Sequence, residues 1–189
     1  MSKPLISIII PVLNGYDFLD YCFLNLKKQI YPRLEIIFVD NGSSDGSLEK
    51  INQYCSNYSN YHVLNCSTPG PGAARNKGIN SAIGDYISFL DIDDELAPDK
   101  HNTLFDQIKR FPDAAMVVGR TKKKYTDDRE EIMNLGTLSL GINNPPTSGL
   151  LWLKQFQHHP HISSTLIKKE YITAKSPFPE NLLFGEDIA

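Results

Sequence analysis

The sequence predicts an α/β fold with a doubly wound, mostly parallel central sheet that is flanked by helices. The first observation is a regular alternation of short apolar runs with segments of helical length over residues 5–119. The second is the first apolar run, LISIII at residues 5–10, which is hydrophobic on both faces. Central parallel strands have this pattern because helices cover both sides of the sheet.

The predicted elements follow from apolar runs that end at turn residues. Strands are expected at residues 5–10, 34–39, 61–65, 86–90 and 114–119, and helices at residues 16–29, 47–54, 73–83 and 100–110. Residues 161–168 (HISSTLIK) have the pattern of one more strand. The charged run at residues 122–131 is expected to be a solvated loop or hairpin.

Length and composition exclude several classes of protein. A chain of 189 residues with 41% hydrophobic residues is expected to form one domain with a sizeable core. Its formal net charge of −3 gives no electrostatic basis for binding nucleic acid. No apolar run reaches the ~18 residues of a membrane span, and the N-terminal residues lack the plan of a signal peptide.

The three cysteines indicate a reducing cytoplasm. Cys22, Cys55 and Cys66 are odd in number and widely spaced, so they form neither a zinc pattern nor a disulfide framework. Cys22 is expected in the core, because it shares an apolar helical stripe with its neighbours Phe18, Leu19, Phe23 and Leu26.

Three carboxylates follow the strand predicted at residues 86–90. Asp91, Asp93 and Asp94 must face water, a cation or a ligand, because unpaired carboxylates are costly to bury. If the alternation of the strand continues, Asp91 and Asp93 point to one site and Asp94 points away. Such a pair suits a hard cation shared with substrate phosphates. The alternative, equally compatible with the residues, is a solvated acidic turn before a helix that starts near Pro98.

Four strand ends or loops carry polar residues and open on one edge of a parallel sheet. They lie at residues 11–14, 40–43, 70–76 and 91–94. Ligands of α/β sheets bind at the carboxyl ends of the strands, so these four segments are expected to line one crevice.

Other motifs are weaker. Residues 70–75 (GPGAAR) follow the third strand and place Arg75 where a dinucleotide fingerprint needs a small residue, which disfavours such a site. Arg75 is predicted either to hold a phosphate or carboxylate or to pair with a strand-end aspartate. The spacing of His158, His159 and His161 matches no common set of zinc ligands. We expect these histidines either to line an acceptor pocket or to lie on the surface. Neither a GxSxG elbow nor a P-loop is present.

Taken together, five segments resemble glycosyltransferase family 2, which has the GT-A fold. They read PVLNGYDFL, YPRLEIIFVDNGSSDGS, GPGAARNKGI, GDYISFLDIDDELAPDK and FGEDIA, in the order of the family. The resemblance implies a metal-dependent, inverting enzyme of the hexosyltransferase type that uses a nucleotide sugar, with a UDP-sugar as the expected donor. The implied acceptor is a hydroxyl of a saccharide or lipid-linked saccharide, in the synthesis of cell-surface polysaccharide or lipopolysaccharide. Residues 1–189 are expected to form one domain, with a nucleotide-sugar half at 1–100 and an acceptor-side half at 101–189.

The resemblance also assigns residues to roles. Asp40 matches the aspartate that holds the nucleotide base. Asp91 and Asp93 match the DxD motif, with Asp93 on a Mn²⁺ or Mg²⁺ ion and Asp91 beside the ribose and the metal. Glu186 and Asp187 match the ED motif, whose aspartate is the general base. The remaining donor-binding positions are expected to be Pro11, Leu13, Asn14 and Arg75.

The sequence departs from the family in two places. Leu13 stands where many relatives have an aromatic residue, so stacking on the base is expected to be weaker. The sequence ends two residues after Asp187, where relatives continue, so it is expected to be C-terminally short. The absent region is the one through which association with the inner face of a membrane is expected.

Two alternative functions remain open at this point. A nucleotidyltransferase also uses strand-end carboxylates and a metal, but it is expected to carry a basic, glycine-rich first loop, which PVLNG is not. The other alternative is a domain that binds a nucleotide sugar without transferring it. Detection of transfer or hydrolysis would separate this alternative from an enzyme.

Overall fold

The computed structural model describes residues 2–125, 127–133 and 161–180. Its strands are β1 (Ile6–Val12), β2 (Leu34–Asp40), β3 (Tyr61–Asn65), β4 (Tyr86–Phe89), β5 (Met116–Val118), β6 (Lys122–Lys124), β7 (Glu130–Ile132) and β8 (Thr165–Lys168). Its helices are α1 (Leu19–Lys27), α2 (Ser47–Cys55), α3 (Pro71–Ser81) and α4 (Lys100–Arg110), and a 3-10 turn at Tyr16–Phe18 precedes α1. The predicted helices are therefore all present, and α4 has the predicted bounds.

The large sheet has the order β3-β2-β1-β4-β8-β5. The first four strands are parallel, whereas β8 runs antiparallel to both β4 and β5. This confirms the mostly parallel sheet, but β5 does not lie beside β4, because β8 separates them. The charged run at residues 122–131 forms the small hairpin of β6 and β7.

Helices cover both faces of the sheet, as the apolar β1 predicts. Ile8 and Ile10 belong to a core with α1 and α2, whereas Ile9 belongs to a second core with α3 on the opposite face. Cys22 is fully buried in the first core as expected, but Phe18 is half exposed because the 3-10 turn rotates it out of the stripe.

The sheet order brings the candidate loops together. The carboxyl ends of β2, β1 and β4 are neighbours, so the segments at residues 11–15, 40–46 and 90–95 leave the sheet at one edge. Antiparallel β8 begins at this same edge, and residues 161–164 therefore join it. Within the described ranges, no helix combines the length and apolar character that crossing a bilayer requires.

Candidate active site

The loops after β1 and β2 are held together by side-chain hydrogen bonds to backbone. Asn14 has a left-handed backbone with φ of 50°, and its amide donates to Ser43 Oγ at 3.0 Å. In return the Ser44 amide donates to Asn14 Oδ1 at 2.8 Å. Asn tolerates this conformation better than most residues because its short polar side chain bonds locally. The predicted Asn14 therefore shapes the crevice, while Leu13 is 57% exposed at its mouth.

Asp40 ends β2 and is almost fully buried. Its carboxylate accepts hydrogen bonds from the amides of Gly42 at 3.1 Å and Ser43 at 3.3 Å. A carboxylate offers about four lone-pair sites, so it retains capacity for a further donor. Its position at the strand end and its acceptor-only chemistry fit the base-binding role that the resemblance gives it.

Asn41 ties the third loop to the second, a role that the sequence reading did not assign. Its Nδ2 donates to the carbonyls of Cys66 at 3.2 Å and Thr68 at 2.7 Å. Its Oδ1 accepts from the Gly70 amide at 2.8 Å, at the start of α3. The sequence does contain a signal for this role. Asn41 directly follows the strand-end residue Asp40, and an Asn in a loop readily forms hydrogen bonds with nearby backbone groups.

Arg75 pairs with a strand-end aspartate, one of its two predicted roles. It lies on α3, is 3% exposed, and its Nη2 donates to Asp91 Oδ1 at 3.0 Å. Its guanidinium carbon also lies 5.7 Å from the centre of the Phe178 ring. The guanidinium thus partly neutralises Asp91 and is buried beneath the crevice.

The three carboxylates after β4 are not arranged as strand alternation predicts. β4 ends at Phe89, and the Asp94 amide donates to the Asp91 carbonyl at 3.0 Å, which closes a turn. The expectation that Asp94 points away from Asp91 is therefore wrong. Ligand atoms of Asp91, Asp94 and His161 lie within 4.8 Å of one another, whereas Asp93 is exposed.

Asp94 is destabilised as an anion. Burial raises its carboxyl pKa above the ordinary 3.8, and the carboxylates of Asp91 and Asp93 raise it further. The Ser163 hydroxyl and the His161 imidazole act in the opposite direction. The Nδ1 of His161 is 3.4 Å from Asp94 Oδ2, and among the described residues that buried oxygen accepts no hydrogen bond. Additional positive charge at this turn would therefore be favourable.

A buried polar network lies beneath the acidic turn, and the sequence reading missed it. Lys100 Nζ donates to Ser88 Oγ at 3.1 Å and to the Ser163 carbonyl at 2.5 Å. Burial lowers the pKa of Lys100 to about 7, and Asp94 counteracts part of this effect. His101, whose Nδ1 lies 3.1 Å from Gln29 Oε1, has a pKa well below 6.5 because of burial and the nearby Lys100. A lysine in the first turn of a helix is usually exposed to solvent, so the sequence does not indicate that Lys100 takes part in this network.

The segment at residues 175–180 packs on α3. Asn76 Nδ2 donates to the Phe178 carbonyl at 2.8 Å and to Glu180 Oε1 at 2.9 Å, and the Phe178 amide donates to Asn76 Oδ1 at 2.9 Å. The contact is so close that a Cβ at Gly72 would lie 2.5 Å from the Pro179 carbonyl oxygen. The predicted residues Glu186 and Asp187, together with His158 and His159, lie outside the described residues.

The chain is an α/β domain with a polar crevice at the carboxyl ends of its parallel strands, and comparison with known proteins identifies its family. The family model described as "Glycosyl transferase family 2" matches residues 7–172. The chain therefore belongs to glycosyltransferase family 2. This confirms the resemblance read from its motifs.

Among curated relatives, an uncharacterized glycosyltransferase of Haemophilus influenzae is 45% identical over 101 residues, which are 53% of this chain and 40% of that protein. The poly(ribitol-phosphate) beta-glucosyltransferase of Bacillus spizizenii is 45% identical over 93 residues, which are 47% of this chain and 15% of that protein. An uncharacterized glycosyltransferase of Rickettsia bellii is 28% identical over 96% of this chain and 25% of its own length. The chain thus matches less than half the length of these relatives.

Two solved structures show the same fold. S. aureus TarS 1-349 in complex with UDP-GlcNAc has a TM-score of 0.76 and 20% identity over 97% of this chain and 51% of that chain. The mannosyltransferase PcManGT from Pyrobaculum calidifontis, in complex with GDP-Man and Mn²⁺, has a TM-score of 0.65 and 19% identity over 96% of this chain and 49% of that chain. The fold is therefore GT-A.

Proposed function

We propose that this chain transfers a sugar from a UDP-sugar to a hydroxyl of a saccharide acceptor, with inversion, in the synthesis of a cell-surface polysaccharide. The observation that carries the proposal is the placement of Asp40 and Asp91 on either side of β1. A nucleotide lying across the β1 loop would have one carboxylate for its base and the other for its ribose. The UDP-GlcNAc bound by TarS supports this choice of donor.

A divalent metal, Mn²⁺ or Mg²⁺, fits the donor set after β4. Carboxylate oxygens are the ligands that hard cations prefer, and burial together with the neighbouring carboxylates raises the pKa of Asp94, so a cation at this turn would be favourable. We assign the ion to Asp91 and Asp93, because an ion held by the exposed Asp93 would be open to a substrate phosphate. When bound, the ion would neutralise the leaving diphosphate. The group of Asp91, Asp94 and His161 is the alternative set, favoured by its compact geometry.

The remaining roles belong to this chain's own groups. Asp40 accepts a hydrogen bond from the base edge, and Asp91 orients the ribose while Arg75 holds its carboxylate. Arg75 thus acts through Asp91 rather than as a direct fork for phosphate. Asp187 remains the proposed general base that removes the acceptor proton, with Glu186 beside it. The cytoplasmic location, the membrane association and the division at residue 100 stay predictions.

Calorimetry with a panel of nucleotide sugars tests the donor. We expect UDP-sugars to bind more tightly with Mn²⁺ than without it, and more tightly than GDP-sugars. Release of UDP that depends on a saccharide acceptor would then establish transfer. Preference for a GDP-sugar would overturn the donor, and absence of any nucleotide-sugar binding with Mn²⁺ would overturn the proposed function.

A further inference from the structure

The side-chain nitrogen of Lys100 lies among polar groups beneath the acidic turn. Lys100 lies in the first turn of α4 and is partly buried, with its Nζ directed at two acceptors beneath the acidic turn. Removing an ammonium from water is costly unless hydrogen bonds compensate for the lost hydration, so the partners of Nζ determine the cost of its position. Its two acceptors, Ser88 Oγ and the Ser163 carbonyl, belong to β4 and to the turn before β8.

Ser163 connects Lys100 to the acidic turn. While its carbonyl accepts from Lys100, its hydroxyl Oγ accepts from the Asp91 amide at 3.3 Å. The same hydroxyl lies near the Asp94 carboxyl and acts to lower its pKa. A hydroxyl has one proton and two lone pairs, so Ser163 Oγ is able to donate a hydrogen bond while it accepts one from the Asp91 amide. Ser163 is 7% exposed, so water does not compete readily for these bonds.

The connection runs between distant parts of the chain. Residues 161–164 follow the segment that begins after β7, whereas Asp91 and Asp94 follow β4. β4 ends at Phe89, so the Asp91 amide lies beyond the hydrogen-bonded part of the sheet. It donates to the side chain of Ser163 instead of to a backbone carbonyl. The backbone of the acidic turn is therefore linked to Lys100 through Ser163, in addition to the side-chain contact between Arg75 and Asp91.

We propose that Lys100 is a positioning residue that, through Ser163, sets the turn at residues 91–94 for metal-dependent donor binding. The inference rests on the proposed function for its donor and metal. It does not depend on whether Asp93 or Asp94 is the second ligand, because both lie on the same turn. Residues that orient a ligand group through a hydrogen bond typically change metal affinity by 10–100-fold.

The test compares Lys100→Met with Lys109→Met, which makes the same substitution at an exposed position of the same helix. Two quantities are measured: hydrogen exchange of the Asp91 amide without ligand, and the Kd for UDP with and without Mn²⁺. For Lys100→Met we expect faster exchange at Asp91, a Kd with Mn²⁺ that rises about tenfold, and little change without Mn²⁺. Lys109→Met should match wild type in both quantities. Lys100→Gln, whose amide still donates, should recover part of the loss.

A purely structural lysine would behave differently. It would lower the unfolding temperature and weaken UDP binding equally with and without Mn²⁺, and that result would overturn the proposal. Unchanged exchange at Asp91 in folded Lys100→Met would also overturn it. If Lys100→Met does not fold, Lys100→Gln is judged by the same two measurements. If wild type binds no UDP with Mn²⁺, the proposed function fails, and exchange at Asp91 alone decides whether Lys100 holds the turn.

Discussion

Asn76 and Phe178 exchange two hydrogen bonds, with the Asn76 amide donating at 2.8 Å and accepting at 2.9 Å. The side-chain carboxamide thus satisfies both backbone groups of a residue 102 positions away. Phe178 in turn packs edge-on against Phe89 of β4 at a ring distance of 5.4 Å and lies beside Arg75. This pair therefore fixes a segment of the second half of the chain against the candidate site.

Replacing Asn76 should destabilise the fold. Asn76→Ala leaves the partly buried amide and carbonyl of Phe178 without their partners, and an unsatisfied group costs about 1–3 kcal/mol when it is shielded from water. We expect the free energy of unfolding, measured in urea, to fall by about 2 kcal/mol or more. Asn80→Ala is the matched control, since Asn80 bonds the Lys175 carbonyl of the same segment from an exposed position. A loss no greater than that of the control would contradict the role given to Asn76.

Four single variants identify the metal ligands. We expect Asp91→Asn and Asp93→Asn to remove the extra thermal stabilisation that Mn²⁺ gives to the complex with UDP. Asp94→Asn should retain most of it. If instead Asp94→Asn and His161→Ala remove it while Asp93→Asn does not, the ion belongs to the compact group around His161.

Asp94→Asn should also raise stability in the absence of metal. The folded-state pKa of Asp94 is raised, so the folded chain holds its proton more tightly than the unfolded chain does. Stability from this group is therefore lost as the pH rises from 3.8 through the folded pKa. At pH 7 the wild type carries the full cost, which the neutral amide avoids. Denaturant unfolding at pH 7 without metal measures the difference in stability. A variant less stable than wild type would contradict the conclusion that the ionised Asp94 carboxylate destabilises the fold.

Asp40→Asn should weaken binding of UDP. The amide keeps one acceptor but places donors toward the amides of Gly42 and Ser43 and toward the base. We expect a loss of about 1–3 kcal/mol in binding by calorimetry, the scale of a hydrogen bond to a charged group. Asp45→Asn is the control, because Asp45 accepts from the Tyr16 and Ser47 amides in the same loop. Equal losses in both variants would show that only the loop was disturbed.

The stability of wild type relative to Lys100→Met should rise with pH above 7. The folded pKa of Lys100 is about 7 and its ordinary value is 10.5, so the unfolded chain binds more protons between these values. The slope of the difference in unfolding free energy should approach about 1.4 kcal/mol per pH unit. Asp94 and His101 are the titratable neighbours, and both are present in the two chains. Denaturant unfolding between pH 7 and 9 measures the slope, and a flat difference would show that Lys100 is not titrating in this window.

Much of the fold was predictable because its signals are local. The apolar run of β1, the glycines and prolines between elements, and the spacing of apolar residues in α4 depend only on neighbours in the sequence. The motifs at Asp40 and Asp91 also lie at the ends of strands that local patterns define. These residues therefore determined both the mostly parallel α/β fold and the family.

Only the tertiary structure decided which distant segments of the chain contact one another. The insertion of β8 between β4 and β5 depends on pairing with strands that are distant in the sequence, such as Tyr86 with Lys168 and Met116 with Ile167, for which no local pattern exists. Asp94 joins Asp91 because β4 ends two residues before the turn, where the alternation of strand side chains no longer applies. Lys100, Ser163 and Asn76 acquire their roles from partners that the folded chain brings to them, since burial and hydrogen bonding of a polar side chain depend on its surroundings in space.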